Sequence, residues 1–121
     1  MDGDNRAKIR QRMAAWNLFS RMTKDELDER LPAGAMLRSN GNKSVPMGFK
    51  PSDKLTGLVL YQAADAEGYV YLSISTICSR SFLSRQTVRD ALKKLIAAKM
   101  IKIVKGGEKN GTATTYKVRY Q

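Results

Sequence analysis

Residues 84–99 read SRQTVRDALKKLIAAK. The spacing of their apolar members fixes how the rest of the chain must be arranged. Val88, Ala91, Leu92, Leu95 and Ile96 recur at steps of three and four, which makes one continuous apolar face on a helix over 85–99. Ser84 stands where a side-chain oxygen can accept a hydrogen bond from the first turn. Arg85, Gln86, Arg89, Lys93 and Lys94 fall largely off the apolar face, so burying that face turns them outward.

The flanking segments supply partners for this helix. Residues 74–81, ISTICSRS, predict a short helix capped by Ser73, with Ile74, Ile77 and Cys78 inward. Phe82 and Leu83 then form a tight turn. Residues 69–72, YVYL, predict a short strand. Residues 53–66 predict a helix capped by Ser52 or Asp53 and ended by Gly68. Leu55, Leu58, Val59 and Gln62 share one side of it, and Leu60 and Ala63 widen the band. Gly57 lowers its propensity by up to about 1 kcal/mol, so packing must hold it. Downstream, 101–105 (IKIVK) and 112–120 (TATTYKVRY) alternate as strands do, with Tyr116, Val118 and Tyr120 on one side. The glycine-rich turn over 106–111 joins them into a basic hairpin.

The first fifty residues read differently. Residues 5–22 predict a helix whose stripe is Ile9, Met13 and Trp16, serving either its own domain or a dimer interface. Thr23 and Glu26 have the spacing of a capping box, opening a short helix over 24–31 that Pro32 and Gly34 end. Residues 38–52 carry Gly41, Pro46, Gly48 and Pro51 and predict a loop or linker. The division expected is an N-terminal helical arm and linker, 1–50, and a compact domain, 51–121.

Composition bounds the function. A 42% hydrophobic, 27% charged chain of 121 residues is globular rather than disordered, with room for one modest core. No apolar run approaches the ~20 residues of a membrane span, and no secretory signal is evident. One cysteine and no histidine leave neither an internal disulfide nor the commonest metal ligand and general base. No nucleophile–base pair and no phosphate-cradling glycine loop appears. The acidic run Asp25, Glu26, Asp28 and Glu29 reads as helix-end charge rather than a metal site. An enzyme, a cofactor and a metal are therefore not expected. The net charge is +11, and it is concentrated: residues 80–121 hold eleven Lys or Arg against only Asp90 and Glu108. A basic half of this kind attracts polyanions.

The order after residue 52 is helix, strand, helix, turn, helix, strand, glycine turn, strand. The stretch LSRQTVRDALKKLIAAKMIKIVKGG resembles the reading helix and wing of winged-helix regulators, close to the GntR-like pattern. More narrowly, residues 53–120 resemble the helix-turn-helix domain of phage and plasmid replication proteins. Tyr71-Leu72-Ser73, Ser84 to Val88 and Thr115-Tyr116-Lys117-Val118 stand at the family's recurring elements. The resemblance implies a winged helix-turn-helix over these residues, and with the helical arm read from residues 5–31 the expected fold is α+β, a winged helix-turn-helix with an N-terminal helical extension. Such turns often hold glycine where this chain has Phe82, so the turn is either reshaped or Phe82 packs into the core.

For the site, the resemblance implies base-edge or phosphate contacts from Arg85, Gln86, Thr87 and Arg89 in a major groove. Ser84 is first a cap and secondarily a phosphate contact. Lys93 and Lys94 suit phosphates, being further along the helix. Lys105, Lys109 and Lys117 are the wing contacts, with Lys102 and Arg119 beside them. The partner implied is double-stranded DNA. A second copy of the chain is expected as well, because small helix-turn-helix proteins usually pair on half-sites, and the stripe Ile9, Met13 and Trp16 of the N-terminal arm is the candidate interface. The function implied is a sequence-specific DNA-binding transcription regulator or replication-initiation factor of a mobile element, cytoplasmic and held to the nucleoid by DNA. The alternative is a replisome assembly module that binds single strands weakly.

Overall fold

Short polar side chains start most of the helices. The computed structural model describes residues 2–39, 43–105 and 114–119, with 2–9, 11, 12 and 39 described for their backbone alone. Helix α1 spans Asp2–Arg21, and Thr23 then opens α2, Lys24–Glu29. The Thr23 hydroxyl accepts the Glu26 N–H at 3.2 Å, and the Glu26 carboxylate accepts the Thr23 N–H at 3.2 Å, the reciprocal box that the spacing predicted. Ser73 and Ser84 each accept an N–H at 3.2 Å, from Thr76 and Thr87, and so open α4 (Ile74–Ser81) and α5 (Arg85–Ala97).

Helix α3, Pro51–Ala63, starts by another device. Pro51 occupies its first turn, where its missing N–H costs nothing. The Asp53 carboxylate accepts the Lys50 N–H at 2.7 Å. The helix thus begins two residues before the predicted start, and neither Ser52 nor Asp53 is its cap residue. It also ends earlier, at Ala63, and Gly68 instead sits at φ 91° in the turn entering β3. Asp65 shapes that turn by accepting the N–H groups of Glu67 and Tyr69, each at 2.9 Å.

The predicted loop over 38–52 is corrected in part. Strands β1 (Met36–Ser39) and β2 (Lys43–Pro46) pair antiparallel there. Pro46 falls at the strand's last residue, where a missing donor is tolerated. The main sheet joins β3 (Tyr69–Leu72), β4 (Ile101–Lys105) and β5 (Thr114–Val118) in the order β3-β5-β4, all antiparallel. The predicted hairpin strands therefore pair, while the turn over 106–111 lies outside the described residues. The whole is an α+β winged helix-turn-helix carrying a helical extension.

One buried cluster runs through the molecule and crosses residue 50. Ala15, Phe19, Met22, Leu27 and Phe49 enter it together with Leu60, Tyr61, Val70, Leu95 and Tyr116. Phe19 stacks on Tyr61 with ring centroids 4.7 Å apart. The inward side of α1 is thus Ala15 and Phe19, followed by Met22 just past its end, while Met13 and Trp16 are 60% and 39% exposed. Helix α3 buries only part of the predicted band. Of that band Val59 and Leu60 are buried, with Leu58 and Ala63 packed against the core, but Leu55 and Gln62 are exposed, and Asp53, Thr56, Gly57 and Tyr61 are buried in addition. The Tyr61 hydroxyl donates to the Arg119 carbonyl at 2.8 Å, with the Met100 carbonyl at 3.2 Å, tying α3 to the sheet. Burial pushes this phenol far above its ordinary range.

Candidate nucleic-acid interface

Helix α5 is fixed by its apolar face. Val88, Ala91, Leu92 and Leu95 are buried, and Ile96 lies at the rim. Burial of each large side chain contributes roughly 1.5–3 kcal/mol, enough to hold the helix in one rotational setting. That setting exposes Arg85, Arg89 and Lys93, spaced four residues apart along one side.

The turn ahead of α5 is made by Ser81 and Phe82. The buried Ser81 hydroxyl donates to the Ile77 carbonyl at 2.7 Å and accepts the Leu83 N–H at 3.3 Å. Nothing in the local pattern marks Ser81 as structural, apart from its place four residues after Ile77. Phe82 ends α4 in the left-handed conformation, φ 62°, and its N–H donates to the Cys78 carbonyl at 2.8 Å. Its ring is 94% exposed. Both sequence expectations fail here: the turn keeps the glycine-like geometry, and the ring faces solvent rather than the core. The cost of that backbone is about 1–2 kcal/mol.

The predicted contact residues separate into groups. Arg85 is exposed, and its guanidinium donates to the Ser75 hydroxyl of α4 at 2.6 Å, which steadies it across the helix pair. The Gln86 amide donates to Asp90 at 2.9 Å. The Ser84 and Thr87 hydroxyls lie 2.8 Å apart and share the cap. Arg89 and Lys93 extend into solvent. Lys105 is exposed at the end of β4, and Lys117 on β5 lies over the Tyr69 ring at 5.2 Å. Lys109 lies outside the described residues, and Ile9 outside the described side chains.

Lys94 departs from its expected role. Its ammonium is buried and pairs with Asp53 at 2.8 Å, so it is turned into the protein and away from any phosphate. The i, i+3 spacing from Ala91 carries Lys94 onto the buried side, and only the acidic partner from α3 makes that placement tolerable. Cys78 is half-buried against the core.

Among the described residues, no group of three or more His, Cys, Asp or Glu converges to hold a metal, and no helix is long and apolar enough to cross a membrane.

Residues 48–101 match a family model described as a helix-turn-helix domain. The matched stretch takes in α3, β3, α4 and α5 and stops at the first residue of β4. A domain of this kind suggests DNA binding. No curated protein and no solved structure matches the chain.

Proposed function

We propose that this protein binds double-stranded DNA in a sequence-specific way, with α5 in the major groove. The observation that carries the proposal is the exposed row of Arg85, Arg89 and Lys93, set outward by the buried Val88, Leu92 and Leu95. A helix so anchored presents donors from its N-terminal turns to base edges, and its later cations to phosphates. Gln86 and Thr87 sit in the same first turn, and Ser84 is both cap and phosphate donor. Lys105, Lys109 and Lys117 serve the wing.

In this reading the protein is a transcription regulator or a replication-initiation factor of a mobile element. It works in the cytoplasm, held to the nucleoid by its DNA. It acts as a homodimer on paired half-sites, with Met13 and Trp16 of α1, and Ile9 on the same stripe, at the interface. The solvent exposure of Met13 and Trp16 supports that choice.

Selection of bound duplexes from a random pool, followed by a gel shift on the enriched site, tests the reading. Arg85→Glu is expected to abolish the shift while leaving the circular dichroism spectrum intact. If six to ten phosphates are neutralised, affinity drops about 10³–10⁵-fold between 50 and 200 mM salt. Specific binding retained by Arg85→Glu refutes the placement of α5 in the groove.

A further inference from the structure

The sheet has an outer face, turned away from the core, that the reading helix does not use. Antiparallel partners point to the same side of a sheet. Tyr69 stands opposite Lys117, and Tyr71 opposite Thr115. Across the central strand, Lys102 stands opposite Lys117, and Lys105 opposite Thr115. The face therefore carries two tyrosines on β3 and three lysines on β4 and β5, while Val70, Leu72, Tyr116 and Val118 fill the inner face.

Three details set this face apart from an ordinary solvated surface. The register shifts between Ile103 and Lys105, and the irregularity brings Lys105 to the side of Lys102, where strict alternation would send it to the other. Lys102 and Lys117 are directly opposed like charges, a pairing that destabilises a sheet until an anion lies between them. Neither of the ion pairs Lys24–Asp28 and Lys94–Asp53 involves them. Tyr71 is 63% exposed, so its ring lies open on the face that carries these cations. Lys117 already covers the Tyr69 ring, which fixes the ammonium in place and leaves Tyr71 as the open platform.

We infer that this face binds single-stranded DNA, with a base stacked on Tyr71 and phosphates held by Lys102, Lys105 and Lys117. The occupant must offer both negative charge and a flat apolar surface. An acidic peptide brings the first without the second, and a duplex hides its base faces within the stack. An unpaired strand brings both. The site is separate from α5 and shares only Lys105 and Lys117 with the wing of the duplex reading, whereas Tyr71 and Lys102 belong to this face alone.

The test uses the full chain, a fluorescein-labelled dT15 strand, its U15 counterpart, and the selected duplex in parallel. Tyr71→Ala is expected to weaken dT15 binding about ten-fold, within the range for loss of one base–aromatic stack. Tyr71→Phe should restore it, and duplex binding should not change. Lys102→Gln and Lys117→Gln should each lower the salt slope of dT15 binding by about 0.7. The proposal is overturned if Tyr71→Ala binds dT15 as the parent does or loses dT15 and duplex together. Displacement of dT15 by polyglutamate at equal charge, or tighter binding of U15, overturns it as well. Failure of the duplex arm alone counts against α5 in the groove and leaves this face standing.

Discussion

The Lys94 ammonium lies 2.8 Å from the Oδ2 atom of Asp53, and the two residues are only 4% and 1% exposed. The same oxygen accepts the Lys50 N–H at 2.7 Å. One carboxylate thus starts α3 and receives the buried lysine of α5, so the helix that carries the row of Arg85, Arg89 and Lys93 is referenced to α3. Removing one member leaves an uncompensated charge in the interior. Lys94→Met is expected to cost about 3–5 kcal/mol in urea unfolding. The double variant Lys94→Met, Asp53→Asn should recover part of that loss, because the orphaned charge goes with it. A single-variant cost no larger than that of a surface lysine would show that the pair is not stabilising.

Gly57 faces Phe19. A Cβ at Gly57 would stand 2.2 Å from the Phe19 ring, and that ring is stacked on Tyr61 and cannot simply withdraw. Gly57→Ala should therefore destabilise the protein, although alanine favours a helix by about 1 kcal/mol over glycine. Phe19→Leu in the same chain should lessen the damage. Thermal melts decide the matter, and a higher Tm for Gly57→Ala alone would contradict the packing described.

Phe82 and Lys99 both adopt positive φ, 62° and 61°. Phe82 has no packing to lose, and Lys99 is exposed just beyond α5, where its N–H donates to the Ile96 carbonyl at 2.9 Å. Glycine at either position should raise stability by roughly 1 kcal/mol, the strain relieved less the chain entropy lost. The two gains should add, since the sites share no partner. Chemical denaturation of the single and double variants measures this, and a destabilised Phe82→Gly would mean that the ring is held by something it touches.

Asp28 gives a pH dependence with a definite sign. The Lys24 ammonium hydrogen-bonds its carboxylate, and the Phe49 N–H donates to it at 2.7 Å, so its pKa is held below the ordinary value. A depressed carboxylate contributes stability that is present above the unfolded value of about 3.9 and is lost as pH falls through the folded one. The stability gap between the parent and Asp28→Asn should be constant near neutrality and close on acidification below about pH 4. A gap independent of pH would rule out this ionised contact.

Much of the fold is legible locally. Thr23 with Glu26, Ser73 and Ser84 mark three helix starts, because capping is a contact between residues two or three apart. The alternation in 101–105 and 112–120 marks two strands, the second of which runs over Thr114–Val118. The arginine row is legible for the same reason, since an apolar face on α5 implies its complement. Three of the features that were not legible turn on distant pairings. The phase of α1 turns on Phe19 meeting Gly57, the fate of Lys94 on Asp53, and the shared face of Tyr71 and Lys102 on a central strand that lies between them in space. Each is a pairing of residues about 30 to 40 positions apart, invisible to periodicity.

By itself, then, the order of residues determined the succession of elements after residue 50, three of the helix caps, and the basic character of the last third of the chain. Only the assembled structure decided which cations face water and which are buried, which side of α1 is inside, and how far the buried band of α3 extends. Local hydrogen bonds and periodic burial are encoded within a turn or two of chain. The dielectric surroundings of a charge, by contrast, depend on whatever distant segment packs against it.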